Sequence, residues 1–216
     1  MADRKYKHVL FDLDGTISDP AEGITNSIIY ALDKFGIAEK RENLLKFIGP
    51  PLRDSFKENF SFTEEEIESA VAHYRVYFTD KGMFENEIYK GIPVLLEKLK
   101  SRGVSISLAT LKPEPFARKI LEYFNIIEYF DCVSGNILET SSLTKKDIIA
   151  KAMEEVGSSS ESAVMIGDRK FDIIGARDHS MDSIAVTYGY GQCDELSAEN
   201  PTYIVDSVLE LSNLLG

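Results

Sequence analysis

The sequence predicts an α/β fold, a parallel sheet flanked by helices and interrupted early by an all-helical block. Three observations carry this. Val9-Leu10-Phe11 is a short apolar run closed by Asp-Leu-Asp-Gly, the pattern of a buried strand that ends in a turn. From Ile92 onward helical and strand patterns alternate, which implies parallel strands joined by right-handed crossovers. Residues 17–88 read instead as helical throughout, and because the first strand precedes them the block is an insertion.

Inside the insertion, Ala21 to Phe35 repeats apolar residues at helical spacing. Thr63-Glu64-Glu65-Glu66 is a capping box for a second long helix through Ile67 to Phe78. Phe47-Ile48-Gly49-Pro50-Pro51-Leu52-Arg53 carries the glycine-proline signature of a turn. Beyond it the spacing predicts helices over Val94–Lys100, Phe116–Phe124 and Asp147–Val156, and strands over Val104–Ala109, Ala163–Ile166 and Ser183–Val186. The domains expected are therefore residues 1–16 with 89–216, and 17–88 inserted between them. No internal repeat or low-complexity segment interrupts this.

Chemistry concentrates at the predicted strand ends. Asp12 and Asp14, two apart, leave an extended backbone on the same side and emerge at the strand's carboxyl end, where open α/β sheets place their ligands. Two carboxylates this close repel unless a cation or a shared proton lies between them. Asp-Gly also marks ordinary turns, and Asp-x-Asp occurs in calcium loops, but Ile17-Ser18-Asp19-Pro20-Ala21 does not supply the alternating oxygen ligands of such a loop. A second acidic pair follows the strand Ala163–Ile166: Asp168 and Asp172, four apart, are expected on one face of a helical turn. Helix capping or a local ion pair would also explain these two.

Thr110 ends the strand Val104–Ala109, where a hydroxyl ahead of a Pro-initiated helix can donate to a phosphate oxygen. Thr144-Lys145-Lys146-Asp147 opens the helix that follows, with Thr144 and Asp147 spaced as a capping box. Either lysine can be a solvated helix-start charge or can neutralise a phosphoryl group.

The order of these four pieces resembles the haloacid dehalogenase superfamily of phosphohydrolases. Phe11-Asp12-Leu13-Asp14-Gly15-Thr16 is similar to its first motif, Thr110 to its second, Lys145 to its third, and Gly167-Asp168 with Asp172 to its fourth. The resemblance covers the whole chain and implies a Rossmann-like core with an inserted helical cap. It leans toward the phosphoglycolate phosphatase-like and 5′-nucleotidase-like branch. The segment Phe47–Arg53 is similar to the cap loop of phosphoglycolate phosphatase-like members, with Arg53 either a leaving-group contact or a surface arginine. Two departures stand out. Leu111 follows Thr110 where many members carry Asn, and Lys145 lacks the Lys-Pro sequence of many members, so its position before the helix favours it only slightly over Lys146.

The roles implied are specific. Asp12 is the nucleophile on a phosphomonoester and Asp14 the general acid and base. Asp12, Asp168 and the backbone carbonyl of Asp14 hold Mg²⁺, with Asp172 supporting them, while Thr110 and Lys145 hold the phosphoryl oxygens. The small-molecule phosphate is phosphoglycolate-like or a nucleoside 5′-monophosphate. A β-phosphoglucomutase-like phosphotransferase uses the same first-motif acids and stays open, as does a non-catalytic binding or regulatory protein. A dehalogenase would not need Asp14.

Composition agrees with this picture. A chain of 216 residues, 44% hydrophobic, can bury a full core and hold one domain with a sizeable insertion, or two small domains. Its 24 Lys plus Arg against 36 Asp plus Glu give a net charge of −12, which argues against a nucleic-acid surface and requires an anionic substrate to be captured locally. Cys132 and Cys193 form no CxxC pair, so neither a disulfide framework nor a zinc site is expected. Met1 to His8 contain no apolar h-region and no run approaches membrane-spanning length. A cytoplasmic protein with no membrane or nucleic-acid partner is expected. His8, His73 and His179 share no spacing and are expected to be surface or packing residues and not catalysts, and Tyr74, Tyr77 and Phe78 are expected to pack in the core or the cap.

Overall fold

A computed structural model of the chain describes residues 6–140 and 143–216. In chain order its elements are β1 (His8–Phe11), β2 (Ser18–Asp19), α1 (Ala21–Asp33), α2 (Arg41–Leu44), α3 (Leu52–Asn59), α4 (Glu64–Tyr77), β3 (Glu87–Ile88), α5 (Ile92–Ser101) and β4 (Ser105–Pro113). There follow α6 (Glu114–Tyr123), β5 (Cys132–Asn136), α7 (Lys145–Val156), β6 (Ala163–Gly167), α8 (Lys170–Asp178), β7 (Asp182–Val186), α9 (Cys193–Ala198), β8 (Tyr203–Val205) and α10 (Val208–Leu214). The chain forms two compact units, one comprising residues up to Ser18 together with Ile88–Gly216, the other Asp19–Glu87. The expectation about a leader rests partly on residues 1–5, which lie outside the described residues. Among the described residues no helix is long and apolar enough to cross a membrane.

The larger unit holds a six-stranded sheet in the order β5-β4-β1-β6-β7-β8, with every pair parallel. Parallel sheets are covered on both faces, which explains the continuous apolar reading of β1: Val9, Leu10 and Phe11 are all buried. Leu10 packs with Ile148, Ile149 and Ala152 of α7 and with Met165 of β6. Each of the Leu, Ile and Met side chains contributes roughly 1.5–3 kcal/mol. The chain builds outward from β1 to β4 and β5, then returns to its other side for β6, β7 and β8. β1 is therefore the topological switch point of the sheet.

The structure corrects several expected boundaries. β4 runs to Pro113 instead of stopping at Ala109, because its pairing with β5 resumes at Pro113 opposite Asn136 after a register shift. α7 begins at Lys145, with Thr144 as N-cap and Asp147 completing the expected capping box. β5, β8, α9 and α10 are additional: Cys-Val-Ser-Gly-Asn in β5 has too polar and glycine-broken a pattern to read as a strand, and β8 spans three residues.

The smaller unit is helical, and the chain enters and leaves it along the short paired strands β2 and β3. Thr63 caps α4 by accepting from the Glu66 N–H while the Glu66 side chain answers to the Thr63 N–H, as the sequence predicts. Tyr74 and Phe78 are buried and stack at 5.3 Å, and Phe35, Phe47, Phe56, Phe60 and Phe62 form a ring-contact cluster around the fully buried Phe56. Aromatic burial of this kind dominates a small core.

Candidate active site

The candidate site is built where β1, β4 and β6 end. β1 stops at Phe11, and the Asp12 N–H still donates to Ile166 O at 2.9 Å, which fixes Asp12 at the sheet's edge. The chain then turns tightly: the Ile17 and Ser18 N–H groups both donate to Leu13 O, and Gly15 donates to Ser18 O. Gly15 has φ +81°, and a Cβ there would fall 2.1 Å from Asp168 Oδ2, so the turn requires glycine twice over. Asp12 and Asp14 emerge buried, while Leu13 packs into the core.

Lys145, the first residue of α7, reaches into this cluster. Its Nζ lies 3.0 Å from Asp12 Oδ1 and 2.7 Å from Asp172 Oδ1, and donates to Ala109 O at 2.9 Å. Lys146 is exposed, and its carbonyl oxygen is 2.9 Å from His179 Nε2. Asp168 and Asp172 do not share a helix face as expected. Asp168 stands in the turn between β6 and α8, and Asp172 is the third residue of α8, where its Oδ2 accepts from the Arg169 N–H at 3.0 Å. They converge because one leaves the strand end and the other leaves the first helical turn. Asp172 thus caps its helix, pairs with a lysine and joins the acidic cluster at once.

Thr110 is buried in β4, and its Oγ1 accepts from the Lys112 N–H at 3.2 Å. Lys112, which sequence reasoning passed over, places Nζ 2.8 Å from Asp14 Oδ2, with only 6% of its side chain exposed. Its signal was its offset of two from Thr110, which puts both on one face of an extended strand. A second missed element is the segment after β7. The Tyr190 N–H donates to Asp168 Oδ2 at 2.7 Å, and the Tyr188 hydroxyl donates to Thr16 O at 3.0 Å. The glycines of Tyr188-Gly189-Tyr190-Gly191 after a strand were the available signal.

Burial governs the electrostatics. It pushes the Asp168 carboxyl well above the ordinary range, with Asp12 and Asp172 adding to the effect. It also raises Asp14 against the opposing pull of Lys112, and lifts Asp172 to about 6 against Lys145. Desolvation alone would lower Lys145, but the carboxylates of Asp12 and Asp172 outweigh it and hold the ammonium charged. Asp12, Asp168 and Asp172 each offer one oxygen, and these oxygens lie within 4.8 Å of one another. Among the described residues, Asp168 Oδ1 is buried without a hydrogen-bond partner. A buried all-oxygen donor set with an oxygen left unsatisfied is suited to a hard divalent cation.

Arg53 lies in the helical unit and pairs with Glu64 and Glu68, so the surface reading of this arginine is the one its geometry supports. His8 is buried against Ser107 and Ser158, as a packing histidine should be.

The model of the haloacid dehalogenase-like hydrolase family matches residues 9–186, a span that holds every acid of the cluster. The chain belongs to this family. The hydrolase is 40% identical over 212 residues to the 5′-nucleotidase of Pseudomonas aeruginosa, covering 98% of this chain and 96% of that protein. It is 35% identical over 211 residues to a Mycobacterium tuberculosis protein named tyrosine-protein kinase PtkA, covering 96% of this chain and 72% of the relative. Its structure matches the crystal structure of a predicted phosphatase from Clostridium acetobutylicum with a TM-score of 0.92 at 48% identity, over 97% of this chain and 98% of the other. The haloacid dehalogenase-like hydrolase thus carries the Rossmann-like parallel sheet of its family.

Proposed function

We propose that the protein is a Mg²⁺-dependent phosphomonoesterase acting through an aspartyl-phosphate, with a nucleoside 5′-monophosphate as the substrate class. The observation that carries this is the buried Asp12 carboxylate at the carboxyl end of β1, faced by the Lys145 ammonium and by two further acids. Asp12, Asp168 and Asp172 would hold the ion together with the Asp14 carbonyl. When bound, Mg²⁺ supplies charge that offsets the repulsion between a carboxylate nucleophile and a phosphate dianion.

In the first step an Asp12 oxygen forms a bond to phosphorus as the bond to the leaving oxygen breaks. The leaving oxygen keeps that electron pair and takes a proton from Asp14. In the second, water attacks the aspartyl-phosphate, its proton passes back to Asp14, and the Asp12 carboxylate is released. Burial favours a protonated Asp14, which suits the acid role. Thr110 and Lys145 hold the phosphoryl oxygens, and Lys145 stays charged because two carboxylates flank it.

The substrate class rests on the relative named 5′-nucleotidase, and residues 19–87 correspond to the inserted helical cap that the family resemblance implies. The β-phosphoglucomutase alternative has in its favour a solved structure at 22% identity, which speaks to the fold alone. The decisive experiment is a screen of nucleoside 5′-monophosphates, phosphoglycolate and sugar phosphates by kcat/KM, with inorganic phosphate release as readout. Asp12→Asn is expected to abolish release while leaving the fold intact. Near wild-type turnover in that variant sinks the nucleophile assignment, and isomerised product without phosphate release sinks the hydrolase reading.

A further inference from the structure

We infer that Lys112 is a positioning residue for Asp14, fixing one carboxylate oxygen so that the other is the one that exchanges protons with the leaving group and with water. This rests on the acid–base role proposed above for Asp14. Lys112 Nζ lies 2.8 Å from Asp14 Oδ2, and the two side chains are 6% and 10% exposed. Asp14 Oδ1 is equally buried and has no hydrogen-bond partner among the described residues. A carboxylate with one oxygen clamped by an ammonium and the other unengaged has its two oxygens sorted by function.

Lys112 is well placed to act as a rigid clamp. It lies within β4, not in a mobile loop, and its backbone N–H donates to Thr110 Oγ1 at 3.2 Å. One residue therefore ties a candidate phosphate contact to the candidate acid. Between Ala109 and Pro113 the pairing of β4 with β5 shifts register, and Lys112 falls inside that irregularity. Bulges beside active sites characteristically re-aim a side chain. Placement on a strand gives such a group the precision that a proton transfer needs.

A clamp acting through Asp14 makes a distinctive prediction, because protonation matters most when the leaving oxygen is basic. With Mg²⁺ present, wild type, Lys112→Met, Lys112→Arg, Asp14→Asn and the double variant are compared on alkyl and aryl phosphates of graded leaving-group acidity. Lys112→Met is expected to lose at least about tenfold more kcat/KM on an alkyl phosphate than on 2,4-dinitrophenyl phosphate, with partial recovery in Lys112→Arg. In the Asp14→Asn background the same substitution is expected to add little, since the two act as a unit.

A uniform loss across leaving groups, or a rise confined to KM, would make Lys112 a phosphate contact and overturn the inference. Additive losses in the double variant do the same. If Asp14→Asn itself shows no dependence on the leaving group, the acid–base reading fails first, and that failure is visible separately from the clamp. Should Lys112→Met not fold, Lys112→Arg carries the same test: its longer, planar head displaces the contact, so an unchanged leaving-group profile overturns the inference.

Discussion

Lys145 Nζ stands 2.7 Å from Asp172 Oδ1, both side chains nearly inaccessible, and the same ammonium reaches Asp12. One buried cation therefore separates carboxylates that would otherwise repel in a medium of low polarity. Removing one member of such a pair leaves an uncompensated buried charge, which typically costs about 3–5 kcal/mol. Lys145→Met is expected to lower stability in EDTA by an amount of this order and to lower kcat/KM by at least about 10²-fold. The measurements are urea midpoints with and without Mg²⁺, and initial rates. Wild-type stability in EDTA would show that Lys145 does not neutralise the cluster.

Gly167 bears on the same acids through space alone. It ends β6 in ordinary extended backbone, yet an added Cβ would stand 2.1 Å from Asp172 Cγ. Gly167→Ala must displace Asp172 or the first turn of α8. Loss of a positioned ligand or its support typically costs about 10–100-fold in metal affinity or activity. The expected result is weaker Mg²⁺ binding by calorimetry and a matching rise in the Mg²⁺ concentration needed for half-maximal rate. Unchanged metal affinity would remove Asp172 from the metal's surroundings.

These two residues also show what a sequence can and cannot reveal. Asp12, Asp14, Thr110 and Asp168 were expected together because the strand ends of a parallel sheet gather on one edge, and Lys145 and Asp172 join them from the first turns of α7 and α8. Pattern favours Lys145 only slightly over Lys146, because both open the same helix; the rotation of the first turn of α7 decides which one faces the acids. Lys112 was missed because β4 was read as ending at Ala109, which turned a strand residue into a loop residue. The short β8 and the polar β5 were missed because register with a neighbour, not local propensity, makes them strands. The contacts of Tyr188 and Tyr190 join segments more than 20 residues apart, and no local pattern encodes them.

Metal identity offers a further test. Mg²⁺ demands compact octahedral coordination, while Ca²⁺ accepts more oxygens at longer distance and readily takes a carboxylate through both oxygens. If Asp12 serves as ligand and nucleophile together, Ca²⁺ is expected to capture the oxygen that must attack phosphorus. Initial rates against Mg²⁺ at several fixed Ca²⁺ concentrations should show competitive inhibition, with EDTA-treated protein as the zero. Full activity with calcium alone, or undiminished activity in EDTA, defeats the shared role.

The base of β1, away from the acids, holds a buried histidine. His8 is buried with Nδ1 2.6 Å from Ser158 Oγ and Nε2 2.8 Å from Ser107 Oγ, and burial lowers its pKa to about 4 against the opposing pull of Asp131. The unfolded chain, with an ordinary value near 6.5, therefore binds the extra proton throughout the window between about 4 and 6.5. The stability His8 contributes is complete above that window and is lost as pH falls through it, by roughly 2 kcal/mol between pH 7 and pH 4.5. Asp172, raised to about 6, works in the opposite direction, since burial favours its protonated form in the folded state. A difference between variants removes that contribution: His8→Gln keeps polar groups for both serines but cannot take up the proton. Urea unfolding in EDTA at pH 7 and pH 4.5 should show wild type losing about 2 kcal/mol more than His8→Gln over that interval. Equal losses in the two proteins would mean that His8 titrates in the folded state as it does in water.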